Sequence, residues 1–194
     1  MKNKILKKSF YSQPTAEVAR QLLGKFLRRR VNGKLYVGKI VETEAYLGEE
    51  DLACHASKGM TERNKTMFGP AGRAYIYFVY GMHYCLNVVT EEENNPCAVL
   101  IRALEPIKII LPPNKGGLRK VLNGPAKLCR EFKIDKKLNG WDLTIGEKLW
   151  IENGETIKPN QIKKSKRVGV DYAGIWKNRL LRFYIKNNKF VSRK

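Results

Sequence analysis

Apolar residues recur at helical spacing in one early stretch, where Val18, Ala19, Leu22 and Leu23 form a single stripe after Gln13, Pro14 and Thr15, and Gly24 ends it. A short helix is predicted there. Beyond it the period shortens to two. Asn32-Gly33 sits between an alternating run at 25–31 and a longer one at 35–46, which is a hairpin signal. Residues 57–68 are polar and weakly helical in pattern, and Gly69, Pro70 and Gly72 break them. Strands are then predicted over 74–80, 83–90 and 97–104, with a turn at Gly81 and a loop over 91–96; Phe78 is expected in the core. A Pro- and Gly-rich basic loop covers 111–117, and Asn123, Gly124 and Pro125 open a helix running to about Phe132. After a charged region, 167–170 and 180–185 are the last strand candidates. Strands outnumber helices and follow one another as an antiparallel meander, so the class is α+β.

Composition sharpens this. The chain has 194 residues, of which 43% are hydrophobic, enough for one domain spanning 1–194 with a real core. No run of about 18 apolar residues could span a membrane. Polar residues follow the basic start where a signal peptide needs an apolar stretch, so a soluble intracellular protein is expected. With 38 Lys+Arg against 18 Asp+Glu the net charge is 38 − 18 = +20. Nucleic acid is the first candidate partner, since Lys and Arg neutralise phosphates and release counterions; a basic solvated surface is the plainer alternative. Cys54, Cys85, Cys97 and Cys129 are widely spaced, and there are two histidines. No zinc-site spacing results, and the thiols are read as reduced and buried.

Three groups of residues could carry chemistry. Glu42 and Glu44 are carboxylates inside an otherwise apolar strand, on one face and roughly 7 Å apart. Either would suit a general base beside cationic groups, unless both are surface carboxylates answering nearby Lys and Arg; spacing does not choose between them. Tyr75 and Tyr77 share a face, with Tyr80 on the other beside Gly81. They suit a base-stacking platform and a wedge, or an ordinary β-rich core. His55, Asn87 and Arg102 are single polar residues near apolar runs, each more easily read alone as structural.

The ordered set of motifs is more specific than any part of it. Val41, Glu42, Thr43, Glu44, Ala45, Tyr46, Leu47 and Gly48 are followed by Glu50-Asp51, His55, Arg63-Asn64, Met67-Phe68, Tyr75 with Tyr77, and Tyr80 with Met82. Then come Cys85 with Asn87, a run from Leu100 to Pro106, another from Gly124 to Cys129, Arg167 through Val170, and Leu181 through Tyr184. From Leu22 to Ser192 this resembles the alkyladenine (3-methyladenine) DNA glycosylase family.

The resemblance implies a single domain with a curved antiparallel sheet flanked by helices and no helix-hairpin-helix. It implies a monofunctional enzyme, acting as a monomer on damaged duplex DNA, that flips out an alkylated or deaminated purine and hydrolyses its N-glycosidic bond without metal or cofactor. Glu44 matches the general base; Arg102 and the backbone carbonyl of Val168 match the groups that help hold the water. Tyr46, His55 and Tyr77 match the walls of the base pocket, and Asn87 the residue that crowds the 2-amino group of guanine. Tyr80 matches the side chain that fills the vacated stack, with Met82 beside it. The site of action would be the cytoplasm or nucleoid in a bacterium and the nucleus otherwise. His83 after the wedge, and Lys177 to Arg179, depart from the family pattern and bear on DNA grip and substrate range. A non-enzymatic basic nucleic-acid binder would need neither Glu44 nor damage; a nuclease would normally want a metal-binding cluster that this chain does not obviously offer.

Overall fold

The computed structural model describes residues 5–79, 81–108 and 122–193. The β1 strand (Phe26–Val31) and β2 (Lys34–Leu47) pair antiparallel from Val31↔Lys34 onward. Their turn is made by Asn32 and Gly33 at φ 49° and 71°, the left-handed values that a two-residue hairpin demands and that Asn and Gly supply. At 14 residues β2 is the organising strand. Its first half pairs with β1, its second half with β8 (Arg182–Ile185), and its other edge with β5 (Cys97–Lys108).

The remaining strands extend the sheet on both sides. β3 (Ala74–Val79), β4 (His83–Thr90) and β5 form the expected meander, while β6 (Leu149–Glu152) lies outside β1 and β7 (Ile162–Ser165) outside β8. The path β3-β4-β5-β2-β1-β6 is antiparallel throughout. The β2–β5 register slips twice in succession, at Ile40/Glu42 and at Glu42/Thr43. Val41 is unmatched on β2 and Arg102 unmatched on β5. Such bulges bend a sheet and re-aim side chains.

Helices cover this curved sheet. α1 (Lys8–Tyr11) packs on α2 and β4, α2 (Thr15–Gln21) on β2, and α3 (Pro125–Glu131) on β4 and β5. The α2 stripe buries Val18, Ala19, Leu22 and Leu23 against Leu27, Ile40 and Leu104; each large side chain so buried contributes about 1.5–3 kcal/mol. The first turn of α2 is capped from afar: the Thr15 N–H donates to Glu91 at 2.8 Å, a carboxylate at the positive end of the helix. The fold is α+β, and none of the described helices forms a helix-hairpin-helix.

Three expectations are corrected. Residues 167–170 are a bend, because Gly169 reverses the chain at φ 76°. The strands of that part of the chain are instead β6 and β7, drawn from the region read only as charged. Phe78 is 47% exposed and lies on Tyr84, because that face of the β3–β4 hairpin projects beyond the core. Residues 57–68 hold one 3-10 turn, Lys65–Phe68, among turns. Tyr80 and the loop 111–117 lie outside the described residues.

Candidate active site

The bulged stretch of β2 and β5 positions the charged centre. Glu42 and Glu44 are completely buried, and the unmatched Arg102 reaches both, with Nε at 3.1 Å from Glu42 and Nη1 at 3.2 Å from Glu44. Two neighbouring carboxylates and one guanidinium therefore share one face of the sheet. Glu42 also accepts from Arg182 Nε (2.7 Å), the Ser192 N–H (2.6 Å) and the Ser192 hydroxyl (2.9 Å). Glu44 accepts from the Tyr46 hydroxyl at 3.0 Å and from the Val168 N–H at 2.7 Å. Burial raises the proton affinity of Glu44; Arg102, the Val168 amide and the Tyr46 hydroxyl pull it back, Glu42 pushes it up again, and the balance stays above the usual carboxylate value. Burial also works against the charge of Arg102, but the two carboxylates outweigh it and hold its pKa above the ordinary value.

All three donors to Glu44 (Tyr46, Arg102 and Val168) line a cavity of about 460 Å³. That is the size of a pocket that encloses a small organic ligand. Its walls are aromatic: Tyr75 and Tyr77 tilt against each other at 5.5 Å, and the His55 ring meets Tyr77 edge-on at 4.4 Å. His55 Nδ1 shares a 2.8 Å hydrogen bond with the Tyr75 hydroxyl. Burial, with the Arg63 charge adding to it, pushes the His55 pKa down to about 4, so the ring is neutral at physiological pH. Arg63 lies 5.7 Å over the Tyr77 ring and donates to the Phe78 carbonyl. Asn87 donates to the Tyr75 carbonyl at 3.2 Å on the same lining. An aromatic slot with a neutral imidazole in its wall, Arg63 and Arg102 on its lining and a carboxylate behind it can hold a planar heterocycle and place a base beside the atom attached to it.

Residues 9–189 match the family model described as methylpurine-DNA glycosylase. The chain belongs to that family. Its members are hydrolases acting on N-glycosyl bonds, and so is this protein. Relatives provisionally named 3-methyladenine DNA glycosylase run the whole length. One from Carboxydothermus hydrogenoformans is 51% identical over 98% of this chain and 100% of its own. Another, from Methanocella arvoryzae, is 48% identical over 98% and 96%, and one from Legionella pneumophila is 48% identical over 97% and 98%.

The structure gathers most of the residues singled out in the sequence of this methylpurine-DNA glycosylase family member. Tyr46, His55, Tyr77, Asn87, Arg102 and Val168 line one cavity, and Glu44 lies directly behind three of them. Val168 reaches Glu44 through its backbone amide. Met82 stands apart, 70% exposed near the turn of the β3–β4 hairpin. The surface-carboxylate reading of Glu42 and Glu44 is excluded by their burial. Sequence reasoning gave no role to Arg63, Tyr172, Asp51 or Arg167. Arg63 and Tyr172 line the cavity, and Asp51 and Arg167 form a completely buried ion pair beneath it. A charged residue in the apolar setting of Arg167, Val168 and Val170 was the available signal. Among the described residues no cluster of three or more His, Cys, Asp or Glu side chains is placed to hold a metal ion.

Proposed function

We propose that this protein excises alkylated or deaminated purines from duplex DNA as a monofunctional glycosylase, with Glu44 as the general base. The observation that carries this reading is that a buried carboxylate, held above the usual carboxylate pKa by its burial, has all its donors on the wall of an aromatic cavity. The extruded base stacks among Tyr46, His55 and Tyr77, and Asn87 crowds the edge where guanine bears its 2-amino group. N3- or N7-alkylation makes the purine cationic, so the slot attracts it by cation–π contact and the base leaves readily. Water attacks C1′, its proton passes to Glu44, and the glycosidic electron pair departs with the purine, leaving an abasic site. Arg102 and the backbone carbonyl of Val168 help hold the water, and Arg102 steadies the developing charges. A carboxylate held above its ordinary pKa by burial is better matched to proton abstraction near neutral pH.

Flipping costs a few kcal/mol, and least at a weakened pair. Tyr80, with Met82 beside it, fills the gap left in the stack; Tyr80→Ser should lower excision from duplex more than from single strands. The whole chain acts as one domain and as a monomer, and its +20 charge should make duplex affinity fall steeply with salt.

The test is direct. Duplexes carrying a single methylated purine, hypoxanthine or ethenoadenine are incubated with the protein in EDTA, and abasic sites are revealed with alkali. Alkali-labile sites with wild type and none with Glu44→Gln are expected. Absence of such sites for every lesion, or near-normal turnover by Glu44→Gln while Glu42→Gln fails, would overturn the reading.

A further inference from the structure

The buried pair beneath the cavity has no part in the chemistry just described. Arg167 and Asp51 are both without side-chain exposure. Arg167 grips Asp51 with both terminal nitrogens, one of them at 2.7 Å, and Nη1 also donates to the Ala45 carbonyl at 2.9 Å. Its guanidinium lies 4.7 Å over the Tyr46 ring. The two oxygens of Asp51 accept in addition the Leu47 and Ala53 N–H groups, at 3.1 and 3.0 Å. One pair thus ties the end of β2, the turn after it and the 167–170 bend together. The next residue after Arg167 is Val168, whose amide lies on Glu44, and the one after that is Gly169, whose left-handed φ turns the chain away.

For stability alone such a pair is a poor device, because desolvating two ions roughly cancels their attraction. Its geometry is better explained by what it orients. Resting on the assignment of Glu44 as general base, we infer that the Arg167–Asp51 pair is a positioning device that holds the Val168 N–H on Glu44 and the Tyr46 ring and hydroxyl beside it. The amide and the hydroxyl are two of the three donors to that carboxylate, and a donor to the charged form favours ionisation. Loosening the bend therefore leaves Glu44 harder to ionise. The other groups facing it stay: Arg102 from β5, Glu42 from β2, Arg182 opposite on β8, Tyr77 from β3 and Cys85 from β4. The charge of Arg167 also acts on Glu44 directly, and Arg167→Lys, which keeps that charge, separates the loss of grip from the loss of charge.

The experiment is single-turnover base release against pH for wild type, Arg167→Lys, Asp51→Asn and the double variant Arg167→Met with Asp51→Asn. The double variant leaves no unpaired charge and is expected to fold where a single one does not, which circular dichroism and thermal unfolding check. The acid limb of its profile is expected to move up by about one pH unit, a tenfold loss at a fixed pH on that limb. The alkaline plateau should recover to within a few-fold, and half-saturating DNA concentration should change little. Arg167→Lys keeps the charge but not the two-point grip, and should show a smaller shift in the same direction. A folded double variant with the wild-type profile, or one losing activity equally at every pH, would overturn the positioning role. Retained turnover by Glu44→Gln would instead remove the assignment beneath it, so the two failures are distinct.

Discussion

Glu42 and Glu44 stand two residues apart on one strand, both completely buried and both held by Arg102. Their other partners differ in kind. Glu42 is tied to Arg182 and to the backbone and hydroxyl of Ser192, none of which lines the cavity. Glu44 is tied to Tyr46 and Val168, both of which do. Burial is thus common to the pair and decides nothing between them. On the assignment proposed above, what separates the reactive carboxylate from the structural one is that its remaining donors also face a space that a substrate can fill. The pair also shows why proximity to positive charge is a weak guide. Glu42 is the better paired of the two, with two guanidiniums, yet only one of those two, Arg102, lines the cavity.

The largest effect that could break this contrast is in turnover. Glu44→Gln should lower base release by at least about 10²–10⁴-fold with the fold intact, as judged by circular dichroism and lesion-DNA binding. Glu42→Gln should do the reverse. It leaves two buried guanidiniums facing a neutral amide and should lower the unfolding free energy by about 3–5 kcal/mol in urea titrations. Exchange of these outcomes would invert the assignment.

A second measurement sharpens it through pH. Because burial leads the causes that raise the Glu44 pKa, the folded state binds that proton more tightly than the unfolded chain. The stability linked to it is fully present below the ordinary carboxylate pKa and is lost as pH rises through the raised value. Glu44→Gln should therefore be more stable than wild type at neutral pH, with the margin closing as pH falls through the raised value and gone by the ordinary carboxylate pKa. Base release runs the other way, rising with pH as Glu44 ionises. A margin constant with pH would show that Glu44 carries no such strain.

The smallest effect concerns the closed side. Ser192→Ala removes one neutral donor from Glu42 but leaves the Ser192 N–H, and should cost about 1 kcal/mol of stability with turnover unchanged.

Much of this was legible in the chain because it is local. The Asn32-Gly33 turn, the α2 stripe and the β3–β4 meander follow from spacing, and the glutamates follow from their oddity inside an apolar strand. What spacing left open was which glutamate has its other donors on the cavity wall, since that depends on Val168 and Ser192, more than 120 residues downstream. The double slip of register that aims Arg102 between them has no sequence signature either, because a bulge belongs to two strands at once. β6 and β7 were missed because both are short, and β7 is half lysine, so no apolar alternation announces it. Phe78 misled because alternation assigns a face and not a depth.

The cavity also holds two thiols, Cys54 and Cys85, both free and nearly enclosed. Burial pushes each up to about 11, so at neutral pH both stay as thiols. Only the thiolate is a strong nucleophile. The methylating electrophiles that create damaged purines attack sulfur by the same chemistry, and a reactive cysteine in this wall would be capped by the very exposure that makes the enzyme necessary. Two sulfurs held as thiols are poor targets for such agents. The wall gains soft, polarisable atoms against the base without gaining a target.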